Sequence, residues 1–367
     1  MQVKISEEME MEGEYGKIRI PRKVMKALGY TVGGFIQVRS KLGNTMHLVI
    51  DESKEDSETA ELTEKDFSHA FIKNKQFAIK PVENIMLGCD PEVFLIDQNN
   101  KVVPAYRFFA KNGPVGNDGA VMELRPAPDI SEDVVASNLH HLLKRARSSL
   151  NNTAEGQALR IIAVSSIGKL TAGFHLHYGL PDRLLGFDGE VKMVAELITR
   201  VMDYYVGIPS VIPEGTADCA RRMMPYVPYG KPGQFRIDKR TFEYRMPGSA
   251  NLKHPTLARG LMALGAVVVE DFVSRIKKFT TNFSELKELH RPDMAAMFYK
   301  NLPNYNQIYE ISCCPNTHLA RQHVDNFIIN DVRKMIGYVK RKDIIEQYFV
   351  AINEDIQSNM ELNWNFG

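Results

Sequence analysis

Asp90 and Glu92 stand two residues apart in the segment GCDPE, and the same spacing returns in His175 and His177 of GFHLHYG and in Glu243 and Arg245 of FEYRMPGS. On an extended strand, residues i and i+2 leave the same face, so each pair presents two polar groups to one surface. Such a face costs burial energy that an ordinary core avoids, and metal ions and phosphates would offset that cost. Two more segments carry the same mixture: DGAVMELRP holds Asp118, Glu123 and Arg125, and YGKPGQFR holds Arg236. Mg2+ prefers oxygen ligands, and a site for several ions with nucleotide mixes carboxylates with an occasional imidazole. Asp90, Glu92, Asp118, Glu123, His175, His177 and Glu243 supply that set. The guanidinium fork grips both phosphate and carboxylate, which makes Arg125, Arg221, Arg222, Arg236 and Arg245 the candidates for substrate and nucleotide.

The elements around these residues are predicted to be strands alternating with helices from about residue 84. VFLID and KVVPAY read as a hairpin turning at Asn99 and Asn100. Val135, Leu139, Leu142 and Ala146 form one stripe of a helix from about 131 to 150, with Asp129 and Glu132 as a capping box. A second helix is expected from about 190 to 205, and RIIAVSSIG and AGFHLHYGL between them read as strands. Beyond Gly248 the pattern turns helical, at about 254–278, 293–300, 319–338 and 341–357. The predicted class is α+β, helices packed on a mainly antiparallel sheet. Residues 84–253 form the core and 254–367 a helical part of the same domain.

Residues 1–50 read as a separate β-rich unit, with strands near Lys17–Ile20, Phe35–Ser40 and Met46–Ile50 and a short helix at Arg22–Leu28 that Gly29 would cap. The acidic stretch Asp51–Asp66 lacks periodicity, so residues 51–83 are expected to be a linker and connecting segment.

The chain has 367 residues, 44% hydrophobic and 25% charged, as expected of a globular protein. Its 46 basic and 45 acidic residues give a net charge of +1, which argues against whole-surface attraction to nucleic acid or membrane. Cys89, Cys219, Cys313 and Cys314 show no CxxC spacing, and no apolar run is long enough to span a bilayer, so a cytoplasmic location is expected. Cys313, Cys314, His318 and His323 invite a zinc reading, but the adjacent cysteines leave them as packing residues.

GCDPEVFL, DG...ELRP, HLHYG, RR...YGKPGQFR and FEYR, in that order over about residues 85–260, resemble the phage-type COOH-NH2 ligases, amidoligases with a glutamine synthetase-like fold. The resemblance implies ATP-dependent amide formation through an acyl phosphate, with Mg2+ or Mn2+. It implies that Asp90 and Glu92 serve two metal positions, Glu123 and Asp118 completing that of Glu92, and His175, His177 and Glu243 that of Asp90. Arg245 would then act on the transferring phosphate or the substrate carboxylate, Arg236, Arg221 and Arg222 on nucleotide phosphates, and Arg107 and Arg125 on an acidic substrate. One departure is Asp90, where many relatives carry Glu.

GKIRIPRKVMKALGYTVGGFIQVRS resembles the AbrB-type swapped-hairpin module, which implies a homodimer through residues 1–50 and, through Lys17, Arg19, Arg22, Lys23 and Arg39, contact with DNA. Gly34 stands where that module carries an acidic turn residue. Small-molecule or peptide carboxylates and amines are the expected partners. Two rival readings fit the same residues: a catalytically silent phage structural or binding protein that keeps the ligase fold, with a place in the virion rather than host cytoplasm, and a DNA-binding regulator.

Overall fold

Strict alternation along Met86–Ile96 (β7) sends Leu87, Cys89, Val93 and Leu95 to one side of the chain and Asp90 and Glu92 to the other. Both sides are buried, so this strand lies in the middle of its sheet. The computed structural model describes residues 2–5, 17–28, 35–39, 45–53, 59–62, 78–81, 85–179, 191–224, 227, 230–238, 241–279, 299–313, 317–357 and 359–367.

The first described strands are Gln2–Ile5 (β1), Lys17–Pro21 (β2), Phe35–Arg39 (β3), Thr45–Ser53 (β4), Thr59–Leu62 (β5) and Ala78–Pro81 (β6), with the helix Arg22–Leu28 (α1) after β2. They form one six-stranded sheet in the order β1-β5-β2-β4-β3-β6. The segment read as a linker is therefore corrected: β5 lies between β1 and β2, and β6 closes the far edge against β3. In the ladders Glu61 stands opposite Arg19 and Lys80 opposite Gln37. Gly29, Gly34, Cys314 and most of the helix expected at 293–300 lie outside the described residues.

The second sheet contains β7, Val102–Val103 (β8), Val115–Asp118 (β9), Val121–Leu124 (β10), Arg160–Ile162 (β11), Phe174–Gly179 (β14), Phe235–Asp238 (β15) and Thr241–Tyr244 (β16); Ser166–Ile167 (β12) and Leu170–Thr171 (β13) make a separate ribbon. Its main path runs β15-β16-β14-β7-β10-β9, with β8 and β11 also on β7, and every pairing is antiparallel. The β7–β8 hairpin turns as expected, with Asn100 at φ +59° and Asp97 accepting the Asn99 and Lys101 amides.

Register makes one face of this sheet apolar. Leu176 opposes Cys89 and Tyr244, Tyr178 opposes Leu87 and Phe242, and Met122 opposes Val93. This face joins a single core with the helices Glu132–Leu150 (α2), Val191–Met202 (α3) and Pro255–Phe279 (α4). Gly265 lets α4 settle on β14, since a Cβ there would lie 1.8 Å from the Tyr178 hydroxyl. Tyr305–Cys313 (α5), His318–His323 (α6) and Tyr338–Ala351 (α7) follow. The core includes residues from Ile85 to Phe366, so the helical tail is packed with the sheet. The architecture is α+β.

Two expectations fail locally. Glu132 does not close a capping box; it pairs with buried Arg341, while Asp129 accepts the Ser131 amide. The helix expected at 319–338 is interrupted by a wide π-helical turn at Val324–Ile328 and ends before Gly337, whose φ of +86° starts α7. Among the described residues no helix is long and apolar enough to cross a membrane.

Candidate active site

The pleat that buries the apolar residues forces their polar neighbours onto the opposite face. Glu123 on β10 opposes Glu92, His175 on β14 opposes Asp90, His177 opposes Glu243 on β16, and Glu243 opposes Arg236 on β15. Gly116 opposes Glu123, so Asp118, two residues on, shares that face at its exposed margin. Residues separated by more than 150 positions in the chain thus meet on six neighbouring strands. These are the residues that the sequence singled out, Asp90, Glu92, Glu123, His175, His177, Glu243, Arg236 and Arg245, with Asp118 and Arg125 at the side of Glu123.

At the centre, Asp90 Oδ1 lies 3.2 Å from His175 Nδ1 and 3.1 Å from His177 Nε2, and Glu243 Oε1 lies 3.5 Å from His175 Nδ1. Asp90, His177 and Glu243 each offer a ligand atom within 4.8 Å of the others, and all three are buried. Asp90 Oδ1 and both Glu243 oxygens are buried without a hydrogen bond of good geometry. Burial alone would raise the Asp90 carboxyl, but His177 and His175 outweigh it and hold the group well below the usual carboxylate range. Burial pulls the other way on His175, and Asp90, Glu92 and Glu243 hold its imidazole above its ordinary value.

The second acidic group sits beside the first. Glu92 Oε2 accepts the Gly173 amide at 2.7 Å, and the Ser249 hydroxyl donates to the Glu92 carbonyl. Burial first, then Asp90, raises the Glu123 carboxyl to about 7; Arg125 opposes, and Glu92 and Asp118 reinforce. Four buried carboxylates on one face exceed what packing requires, and a lone buried ion costs several kcal/mol. The clustered carboxylate oxygens of Asp90 and Glu243, with the single imidazole of His177, make a donor set that fits a hard divalent cation.

The arginines divide into two groups. Arg236 and Arg245 both reach Glu243, the latter at 2.9 Å, from the rim of the sheet; the Arg236 side chain is 55% exposed. Arg125 instead pairs with Glu123 and donates to the Gly113 and Lys111 carbonyls at 3.0 and 3.3 Å, so it fixes a loop beside the acids. Arg221 and Arg222 do not join the face. Both are fully buried: Arg222 grips Glu214 with two nitrogens and donates to the Met246 carbonyl, and Arg221 Nε lies 3.5 Å from Glu214. The expected nucleotide contact through this pair is corrected to an internal ion pair, because no solvent reaches either guanidinium. Arg107 is also elsewhere, paired with exposed Glu155 at 2.7 Å.

Sequence reasoning passed over Gly173, Asp203 and Glu214. A Cβ on Gly173 would sit 2.4 Å from His175 Nε2, so the ring lies over that residue. Glu214, seven and eight residues ahead of the arginine pair, was its natural buried partner. Asp203 gave no signal. It is fully buried and accepts the Gly233 amide at 2.7 Å and the Tyr244 hydroxyl at 3.0 Å. Burial pushes its carboxyl to about 7, with those two donors acting in the opposite direction.

The structure is similar to the bifunctional glutathione synthetase from Pasteurella multocida at 10% identity, over 77% of this chain and 55% of that one, with a TM-score of 0.35. It is similar to a novel glutamine synthase homolog at 11% identity over 77% and 71%, TM-score 0.40, and to a GmaS/ADP complex at 11% over 88% and 99%, TM-score 0.35. The chain thus spans little more than half the length of the glutathione synthetase. No curated protein matches it in sequence. Residues 87–363, which carry the whole polar face and the helices behind it, match the family described as Phage phiEco32-like COOH.NH2 ligase-type 2, and the chain belongs to that family.

Proposed function

We propose that the polar face catalyses ATP-dependent joining of a carboxylate to an amine through an acyl phosphate. The observation that carries this reading is the meeting of Asp90, His177 and Glu243 ligand atoms within 4.8 Å, beside Glu92 and Glu123 and under two arginines. Asp90, His177 and Glu243 would hold one divalent cation, and Glu92 and Glu123, with Asp118 at the margin, offer oxygens for a second. Bound there, Mg2+ or Mn2+ supplies charge neutralisation for the nucleotide phosphates. His175 keeps Asp90 ionised by its position against Oδ1. The Gly173 amide holds the Glu92 carboxylate in place.

In the reaction proposed, a substrate carboxylate oxygen attacks the γ-phosphorus of ATP, the bond to the β-phosphate oxygen breaks, and ADP leaves. An amine nitrogen then attacks the acyl carbon, the carbon–oxygen bond to phosphate breaks, and the proton lost by the nitrogen passes to the departing phosphate. Both steps move negative charge onto phosphate oxygens, and preorganised guanidinium groups stabilise it. Arg236 and Arg245 provide them, since Arg236 lies on β15, Arg245 directly follows β16, and both stand at the open rim beside Glu243. Arg236 is the more exposed and is assigned to nucleotide phosphate; Arg245, partly buried, is assigned to the transferring phosphate. Neither residue has to form a covalent bond.

The test is ADP release from ATP and Mg2+ with a panel of small and peptide carboxylates and amines. Expected is sustained ADP release only with both substrates, a carboxylate without amine giving no more than about one ADP per site, and amide product by mass spectrometry. Absence of both turnover and nucleotide binding by calorimetry would identify a protein that keeps the fold without the reaction.

A further inference from the structure

The strand β15, which bears Arg236, and β16, which Arg245 directly follows, are fastened to the core at both ends by buried carboxylates that touch no candidate ligand position. Before β15, the turn Gly230–Gln234 has Gly230 and Gly233 at φ +89° and +83°, a conformation that L side chains rarely adopt. Asp203 Oδ2 accepts the Gly233 amide at 2.7 Å, and the Tyr305 hydroxyl donates to the Pro232 carbonyl at 2.6 Å. Asp203 Oδ1 takes the Tyr244 hydroxyl at 3.0 Å, which ties the same carboxylate to β16. The Arg245 amide donates to the Gln234 carbonyl at 3.1 Å, so the turn also carries the start of the second arginine segment. After β16, Glu214 accepts the Gly248 amide at 3.0 Å, and Arg222 holds the Met246 carbonyl at 3.1 Å.

Asp203 opens a π-helical turn, Asp203–Gly207, a widening of the helix that recurs at functional sites. Gly207 in that turn leaves the space Tyr244 needs, because a Cβ there would lie 2.5 Å from the hydroxyl. No described arginine or lysine pairs with Asp203, so its burial costs more than an apolar residue of like size would. Packing does not call for a carboxylate here. An acceptor for two donors, one in the turn before β15 and one on β16, does.

We propose that Asp203 is a positioning residue of the ligase site: it locks the Gly230–Gln234 turn and β16 in register, and so aims Arg236 and Arg245 at nucleotide phosphate. The inference rests on the ligase reading above. Asp203→Ala, Asp203→Asn and Tyr244→Phe should be compared with the wild type by hydrogen exchange of the 230–236 segment and by calorimetric titration with ADP and Mg2+. Expected are loss of protection confined to that segment in Asp203→Ala, affinity for ADP weakened about tenfold or more, and recovery of both in Asp203→Asn, whose amide can serve the same two partners. Tyr244→Phe, which keeps the carboxylate, should show a smaller loss of the same kind and serves if Asp203→Ala does not fold. Protection or ADP affinity unchanged in Asp203→Ala and Tyr244→Phe would overturn the positioning role alone. A wild type that binds no ADP would overturn the ligase reading as well.

Discussion

Replacing Glu214 by Gln removes one charge and almost no volume from a wholly buried ion-pair cluster. Glu214 is the shared acceptor of Arg222, through two nitrogens, of Arg221 at 3.5 Å and of the Gly248 amide at 3.0 Å. Both arginines are fully buried, so neither charge can turn to solvent when the carboxylate is lost. Breaking a buried pair from one side leaves an uncompensated ion and costs about 3 to 5 kcal/mol. Arg222→Met should cost less, because Glu214 keeps Arg221 and the Gly248 amide. Urea unfolding at neutral pH is the appropriate assay, since thermal unfolding of a chain this large is prone to irreversibility. The pH dependence provides a second check. Burial alone would raise the Glu214 carboxyl, but Arg222 and Arg221 outweigh it and depress it. A depressed acid contributes stability that is present above its unfolded pKa and lost as pH falls through the folded one. The gap between wild type and Glu214→Gln should therefore narrow on acidification. A Glu214→Gln variant within about 1 kcal/mol of wild type at neutral pH would mean that the Glu214 charge does not hold the cluster, because a surface substitution costs as little.

Three other perturbations separate stability from chemistry. Asp203, with its carboxyl raised to about 7, contributes stability that is full below the unfolded pKa and lost as pH rises through the folded one, so Asp203→Asn should gain on wild type between pH 5 and pH 8 by roughly 1 to 3 kcal/mol; parallel unfolding curves would contradict this. Gly173→Ala pushes a Cβ to 2.4 Å from His175 Nε2, and should reduce ADP release by about tenfold or more while leaving the fold intact by circular dichroism. Arg236→Ala, at a 55% exposed side chain, should keep the fold by circular dichroism, since Arg245 still faces Glu243, yet lower turnover by about a hundredfold, and turnover close to wild type would remove Arg236 from the mechanism.

The site was far more legible in the sequence than its supports. Period-two spacing in DPE, HLH and EYR identifies a face without any knowledge of strand order, because the pleat alone sends both members of each pair to one side. What spacing does not reveal is which strands are neighbours, and the pairings of Glu92 with Glu123 and of His177 with Glu243 come from the register. Arg221 and Arg222 have a sequence context that their burial overrides. An arginine pair near a glycine-rich segment has the composition of a phosphate site, and only burial against Glu214 reveals an internal clamp. Asp203 was illegible for a similar reason, being a single acid in an otherwise apolar helical stretch whose partners lie 30 and 41 residues on. The strands β5 and β6 were missed because their alternation is too short to stand out from the charged residues around them.

Asp90, His177 and Glu243 are proposed to form a divalent-cation site. Titration with Mn2+ followed by electron paramagnetic resonance reads free and bound ion directly, without any knowledge of the substrates. Expected are saturable binding by the wild type and an affinity lowered about tenfold or more in each of Asp90→Asn, His177→Ala and Glu243→Gln, with the fold retained. Equal Mn2+ affinity in the wild type and all three variants, or no saturable binding by the wild type, would contradict this assignment.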